Sequence, residues 1–356
     1  MFVWVSVGSS LLAVGAPLDE FLTAQRGYAP WHGEFELSLD LMNGTVDFAD
    51  VRGGTDYAGT SVGDYKGGHL SAGIALTRRL WLEGSLWNRV LQTSQESMSV
   101  YSWQGAAQYQ MTVNLGYLPA LALRFSEWGN WAKEANKNTS FSLGNITASG
   151  VNVTSPDDEQ MQLDLIGTWN VSEKDSFSLF VGAGTSEVGF KDLIANMGKG
   201  CQYKIGSPSQ YEITGQLVSG AEKDCQVLSF DLTSATPKYP GTDMFQIKYE
   251  ATYQHIGGMY QWFNDAWRFR LGTRYEKVNR SMDDYLRDAG LPYFDSNMIV
   301  TSEIGYKPFK SYAFFLRAQV MNHQLLGDIP FSYNRFTSSK FDHQYGLLSF
   351  GIQGGF

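Results

Sequence analysis

Arg268, Arg270 and Arg274 sit two and four residues apart in one short stretch of this 356-residue chain. In an extended strand, residues two apart share a face, so the three guanidinium groups point the same way. Arg317 and Lys248 extend this cationic row, Glu276 follows Arg274 by two residues, and Glu250 and Glu303 lie on neighbouring stretches. Near the other end of the chain Glu34, Glu36, Asp40 and Glu83 form an acidic set, opposed by Arg89. Guanidinium rows suit anions, and two walls of opposite charge facing a narrow aqueous pore would set up a transverse field that selects or orients an anionic solute. A structural reading pairs the same charges along adjacent strands, Arg274 with Glu250 and Arg270 or Arg317 with Glu303.

Other reactive residues are sparser. His69 and Ser71 make an H-x-S pair on one strand face, as a hydrolase would use for base and nucleophile, but no third group is placed beside them. His323 and His343 flank one loop without a carboxylate cluster, which makes a poor metal site, and His32 and His255 are placed near a rim. No phosphate-loop, dinucleotide or calcium-loop pattern occurs, so no cofactor is expected. Cys201 and Cys225 are not in a C-x-x-C pattern and fit a disulfide in an oxidising compartment. That bridge would close a ring of 25 residues, stabilising it by roughly 3 kcal/mol in the chain-entropy treatment.

The elements that must position these residues are strands. Aromatics make up 14% of the chain and no run of eighteen apolar residues exists, so helical membrane spans are excluded. A transmembrane barrel is not, because alternating strands average to a polar-looking chain. The net charge of −9 argues against a nucleic-acid partner. Twelve alternating segments are expected, at about 33–42, 67–77, 80–90, 100–111, 120–131, 160–171, 176–186, 244–256, 267–276, 297–306, 312–322 and 343–356. The five junctions that follow the even-numbered strands are tight and the others are long. A soluble sandwich has no reason to sort its loops this way. On the parity of each segment, Glu34, Glu36, Asp40, Glu83, Arg89, Lys248, Glu250, Arg268, Arg270, Arg274, Glu303 and Arg317 all face the interior.

The last strand, H-Q-Y-G-L-L-S-F-G-I-Q-G-G-F, alternates and stops on Phe356. A strand with no following turn has an unprotected edge unless a first strand pairs with it. Such a terminal strand resembles the C-terminal signal of Gram-negative outer-membrane β-barrels. The resemblance, which extends over nearly the whole chain, implies one antiparallel transmembrane barrel of twelve strands in the bacterial outer membrane. Short turns then face the periplasm, long loops face outside, and outer-membrane lipid, lipopolysaccharide and the barrel-assembly machinery are the expected partners. Trp169, Trp262, Trp267, Tyr306, Tyr312 and Phe356 fall near the turn ends, as an interfacial girdle would. Passive transport of a small polar or anionic solute is the first functional expectation. A sealed barrel acting through its loops or a periplasmic partner is the second, and a lipid- or lipopolysaccharide-modifying enzyme the third.

Two segments fall outside this scheme. Residues 1–30 begin with an apolar stretch resembling a secretory signal core, without a basic start and followed by Pro17; the rest forms a short helix or plug, or a mobile tail. Residues 187–243, which carry both cysteines, are too long for a structureless loop. They are expected to form a stapled surface loop, or a lid or constriction in the barrel.

Overall fold

The computed structural model describes residues 20–24, 30–42, 64–92, 97–113, 117–137, 141–143, 146–197, 199–209, 212–220, 225, 228–231, 247–323, 325–335 and 337–355. Phe356, and with it the end of the terminal signal, lies outside the described residues, as do residues 1–19. Twelve antiparallel strands close into a barrel: β1 Gly33–Met42, β2 Asp64–Ala75, β3 Leu80–Gln92, β4 Ser97–Gln110, β5 Ala120–Ala132, β6 Asp157–Asn170, β7 Asp175–Gly189, β8 Tyr249–Phe263, β9 Trp267–Arg280, β10 Ser296–Tyr306, β11 Tyr312–Met321 and β12 Tyr345–Gly355. Closure is direct: β12 pairs with β1 from Glu34↔Gly355 to Leu41↔Leu348, so no barrel edge is left open.

Alternation fixes which face is which. Leu39, Leu70, Leu86, Leu163, Val181, Ile256, Leu316 and Phe350 are exposed on the outside, while polar residues of the other parity are buried within. Such an outside is solvated by lipid, and each strand reaches the length needed to cross a bilayer at a tilt. Exposed rings mark both ends of the apolar band. Tyr306 and Trp267 pack 4.7 Å apart near the short turns, and Tyr101 stacks on Trp131 at 4.6 Å toward the long loops. Tyr312 lies edge-on to Phe35, and Trp169 and Trp262 flank the same turn end.

The two ends of the barrel differ. The β5–β6 and β7–β8 connections together raise a six-stranded sheet, ordered Leu228–Asp231, Glu212–Ser219, Gln202–Ser209, Asp192–Asn196, Gly150–Thr154 and Glu134–Lys137. Its own small core gathers Val151, Leu193, Ala195, Tyr203 and Ile205, and the Cys201–Cys225 disulfide joins it. The described part of the 187–243 segment thus supplies four strands of this sheet. The β9–β10 connection carries one short helix, α1 Asp283–Asp288.

What fills the mouth of the barrel is the β11–β12 connection, residues 322–344. Its Leu325, Leu326, Ile329, Phe331, Tyr333 and Phe341 are buried against Tyr65, Leu91, Trp128, Val188, Tyr249, Tyr253 and Val278 of the strands. Gly327 turns this loop at φ +83° beside the Glu276 carboxylate, a conformation and a proximity that only glycine accommodates.

Candidate functional site

Across β9, β10 and β11 the register sets Arg270 opposite Glu303 and Glu303 opposite Arg317. All three point inward, and with Arg268 they converge on one carboxylate. Arg268 Nη2 donates to Glu303 Oε1 at 2.6 Å, and Arg270 donates to both carboxylate oxygens, at 3.0 and 2.5 Å. Arg317 donates to Glu303 Oε2 through Nε and Nη2, at 3.0 and 2.9 Å, and reaches across β12 to both oxygens of Glu36, each at 3.0 Å. Three guanidinium groups thus converge on two carboxylates in a low-dielectric interior.

The chain's own N-terminal segment covers this cluster. Residues 20–24 lie in the lumen, on the side of the short turns. The Phe21 ring stacks on the Arg270 guanidinium at 4.1 Å and lies 5.7 Å from that of Arg317. Glu20 accepts from Thr301 Oγ1 at 2.7 Å and from Gln319 Nε2 at 3.1 Å. Leu22 and Ala24 pack on Ala120, Ala122, Ile166 and Phe180, and the Ala24 amide donates to Thr168 Oγ1. A Cβ on Gly272 would stand 2.7 Å from Glu20 Cβ, so the wall is cut to admit this segment.

Further up the lumen, Arg274 donates to Glu276 at 2.9 Å and to Gln162 at 3.1 Å, and His255 pairs with Asp164 at 2.6 Å. Arg124 pairs with Glu83, which also accepts from the Trp81 indole. At the loop end Arg89 donates to Asp328 at 2.5 Å and to Ser102 and Asn130 at 2.6 Å each. Asp328 belongs to the loop in the mouth, so Arg89 ties that loop to the wall. Asp158 accepts from the Phe331 amide at 3.1 Å, and Tyr249 donates to the Pro330 carbonyl at 2.6 Å.

The structure corrects several sequence expectations here. Lys248 and Glu250 do not face the lumen; both are exposed, and Tyr249, Ala251 and Tyr253 take the inside. The parity rule inverts because the mouth is filled by an apolar core, so apolar residues belong inside at that level. Glu250 instead lines an outer recess of about 940 Å³ with Glu159, Glu187 and Lys277. Arg274 accordingly finds Glu276 and Gln162 rather than Glu250. His255 is no rim residue: on the same inverted strand it is buried against Asp164. Glu34, Glu36, Asp40, Glu83, Arg89, Arg268, Arg270, Arg274, Glu303 and Arg317 lie on the luminal face of their strands. Arg124 was missed by the sequence reading, although it alternates with Leu123 and Phe125 in the pattern that places the other luminal residues.

His69 stacks on Trp87 at 4.6 Å, with Nδ1 facing Ser38 at 3.4 Å and Glu36 at 3.7 Å. Glu36 thus stands where a third group would, yet His69 Nε2 and Ser71 Oγ are buried without a hydrogen-bond partner among the described residues. His323 Nδ1 lies 3.1 Å from the Phe341 carbonyl, and no group of three metal-ligating side chains occurs among the described residues.

No family model and no curated protein matches the sequence. Among solved structures, the chain is similar to the KdgM porin (9% identity, TM-score 0.39, covering 91% of this chain and 99% of that one). It is similar to the translocator domain of the autotransporter NalP from Neisseria meningitidis (10%, 0.44, 93% and 89%) and to the CymD monoaromatic hydrocarbon channel (10%, 0.40, 97% and 98%). Likeness at this level carries no argument about function. The fold rests on the strand register itself.

Proposed function

We propose that this protein is a gated channel of the bacterial outer membrane for small polar or anionic solutes, held closed by its own N-terminal segment. The observation that carries the reading is the placement of Glu20–Ala24: a segment outside the barrel's hydrogen-bond ladder covers the arginine cluster of the luminal wall. Strands cannot leave a closed barrel, but a segment outside the ladder can, and withdrawing it uncovers a cationic wall. In this reading the short turns face the periplasm, so the segment enters from that side, while lipid and lipopolysaccharide surround the apolar band and the barrel-assembly machinery inserts it.

Planar-bilayer conductance tests the reading. The full chain is expected to be silent or to open rarely; a chain lacking residues 1–30 should conduct steadily with anion preference, and Arg270→Ala with Arg317→Ala should remove that preference.

A second reading is favoured by the apolar core in the mouth. Burial on that scale is what a sealed barrel would have, acting through its raised sheet or a periplasmic partner. Silence of both chains in the bilayer would select it. No hydrolase role is proposed for His69 and Ser71, which make no hydrogen bond to each other.

A further inference from the structure

The segment in the lumen shows what its pocket recognises. Three contacts act on it, each with a different chemistry. Thr301 Oγ1 and Gln319 Nε2 both donate to one carboxylate oxygen of Glu20. The Arg270 guanidinium lies over the Phe21 ring at 4.1 Å, with Arg317 beside it. An apolar floor of Ala120, Ala122, Ile166 and Phe180 receives Leu22. Gly272 clears the space between them, since a side chain there would collide with Glu20. Arg268 Nε stays buried without a hydrogen-bond partner among the described residues, so the cluster holds donor capacity that Glu303 does not use.

From these contacts we infer that the pocket binds a free aryl carboxylate, a carboxylate joined by a short aliphatic arm to an aromatic ring, and that Glu20 and Phe21 occupy it as an internal surrogate. The donors agree: Thr301 and Gln319 both present hydrogens to one oxygen, so a carboxylate meets them and a neutral aromatic leaves both unmet. Simple inorganic anions would satisfy the two donors but not the ring site, where a desolvated cation over an aromatic face adds an attraction they lack. The inference names the substrate class for the gated-channel reading and rests on it only for the ligand's route in.

Because the surrogate is tethered, it competes at an effective concentration in the millimolar range, so the unaltered chain masks the site. The test uses the full chain carrying Glu20→Ser and Phe21→Gly, with 3-phenylpropionate as probe and 3-cyclohexylpropionate and propionate as comparators, titrated calorimetrically in detergent micelles. The altered chain is expected to bind 3-phenylpropionate at least about tenfold tighter than the unaltered chain does. It should also prefer it to both comparators. Thr301→Val on the same background should weaken all three acids alike, whereas Arg270→Lys should erase the preference for the aryl probe alone; Thr301→Val keeps the test readable if the arginine variant fails to fold. No binding to the altered chain, or equal binding of the phenyl and cyclohexyl acids, overturns the inference. The channel reading fails separately: conductance without binding sinks the aryl carboxylate site and leaves the channel, and binding without conductance does the reverse.

Discussion

Glu303 holds more of the interior together than any other single side chain described here, accepting from Arg268, Arg270 and Arg317 while fully enclosed. Breaking a buried ion group from one side leaves uncompensated charge behind, which is far costlier than replacing the whole group by apolar residues. Glu303→Gln is therefore expected to destabilise the barrel by about 3–5 kcal/mol, read as a lowered urea midpoint in micelles. Glu187 is its opposite. On the outer face it stands directly across the ladder from both Glu159 and Glu250, and like charges so placed repel. Glu187→Gln should leave the urea midpoint unchanged or raise it, by less than about 0.5 kcal/mol. The comparison separates a carboxylate that organises the lumen from one that only crowds the rim.

The β11–β12 loop and the raised sheet behave as two units with separate fastenings. In the loop, Tyr333 accepts from the Phe294 amide at 2.9 Å and packs under the Arg280 guanidinium at 4.3 Å. Burial pushes its hydroxyl up to about 12. Because the folded value is raised above that of the unfolded chain, the stabilisation is complete below about pH 10 and is lost as pH rises through about 12. Near-UV circular dichroism should show a loosening step in that window, and Tyr333→Phe should remove its contribution. In the raised sheet, Cys201→Ser with Cys225→Ser lifts the constraint on a ring of 25 residues. The expected loss is roughly 3 kcal/mol of local stability, seen as faster proteolysis of the sheet while the heat-resistant barrel band on a gel is unmoved. If the barrel band shifted as well, the sheet and barrel would be one cooperative unit.

At the scale of the molecule, the lumen has three levels: the terminal segment over the arginine cluster, a polar middle around Asp164, His255 and Arg274, and an apolar core in the mouth. On the gated-channel reading there is a constriction at each end, and withdrawing the N-terminal segment widens one of them. Displacing the terminal segment breaks a few hydrogen bonds and uncovers a small apolar floor. Releasing the loop exposes a much larger core and breaks the Arg89–Asp328 tie, so it is the harder of the two. Conductance that appears on shortening the N-terminus but stays small would fit a mouth that remains partly closed.

Strand number, strand order and the sorting of short turns from long loops were legible in the sequence, because each follows from a local period of two and from turn residues beside it. The luminal faces of β1 and β9 were legible for the same reason. Which carboxylate meets which guanidinium was not: pairing depends on register and on side-chain reach across β12, as the Arg317–Glu36 contact shows, and neither is encoded locally. The inverted face of β8 shows why most clearly. Tyr249 and Tyr253 read as lipid-facing until a loop some eighty residues away fills the mouth and makes the interior apolar at their level. The sequence by itself determined a closed twelve-stranded barrel with charge inside, since alternation and edge closure demand it. Only the tertiary structure decided that this interior is occupied, by a terminal segment at one end and the last loop at the other, because occupancy is a matter of packing between parts distant in the chain.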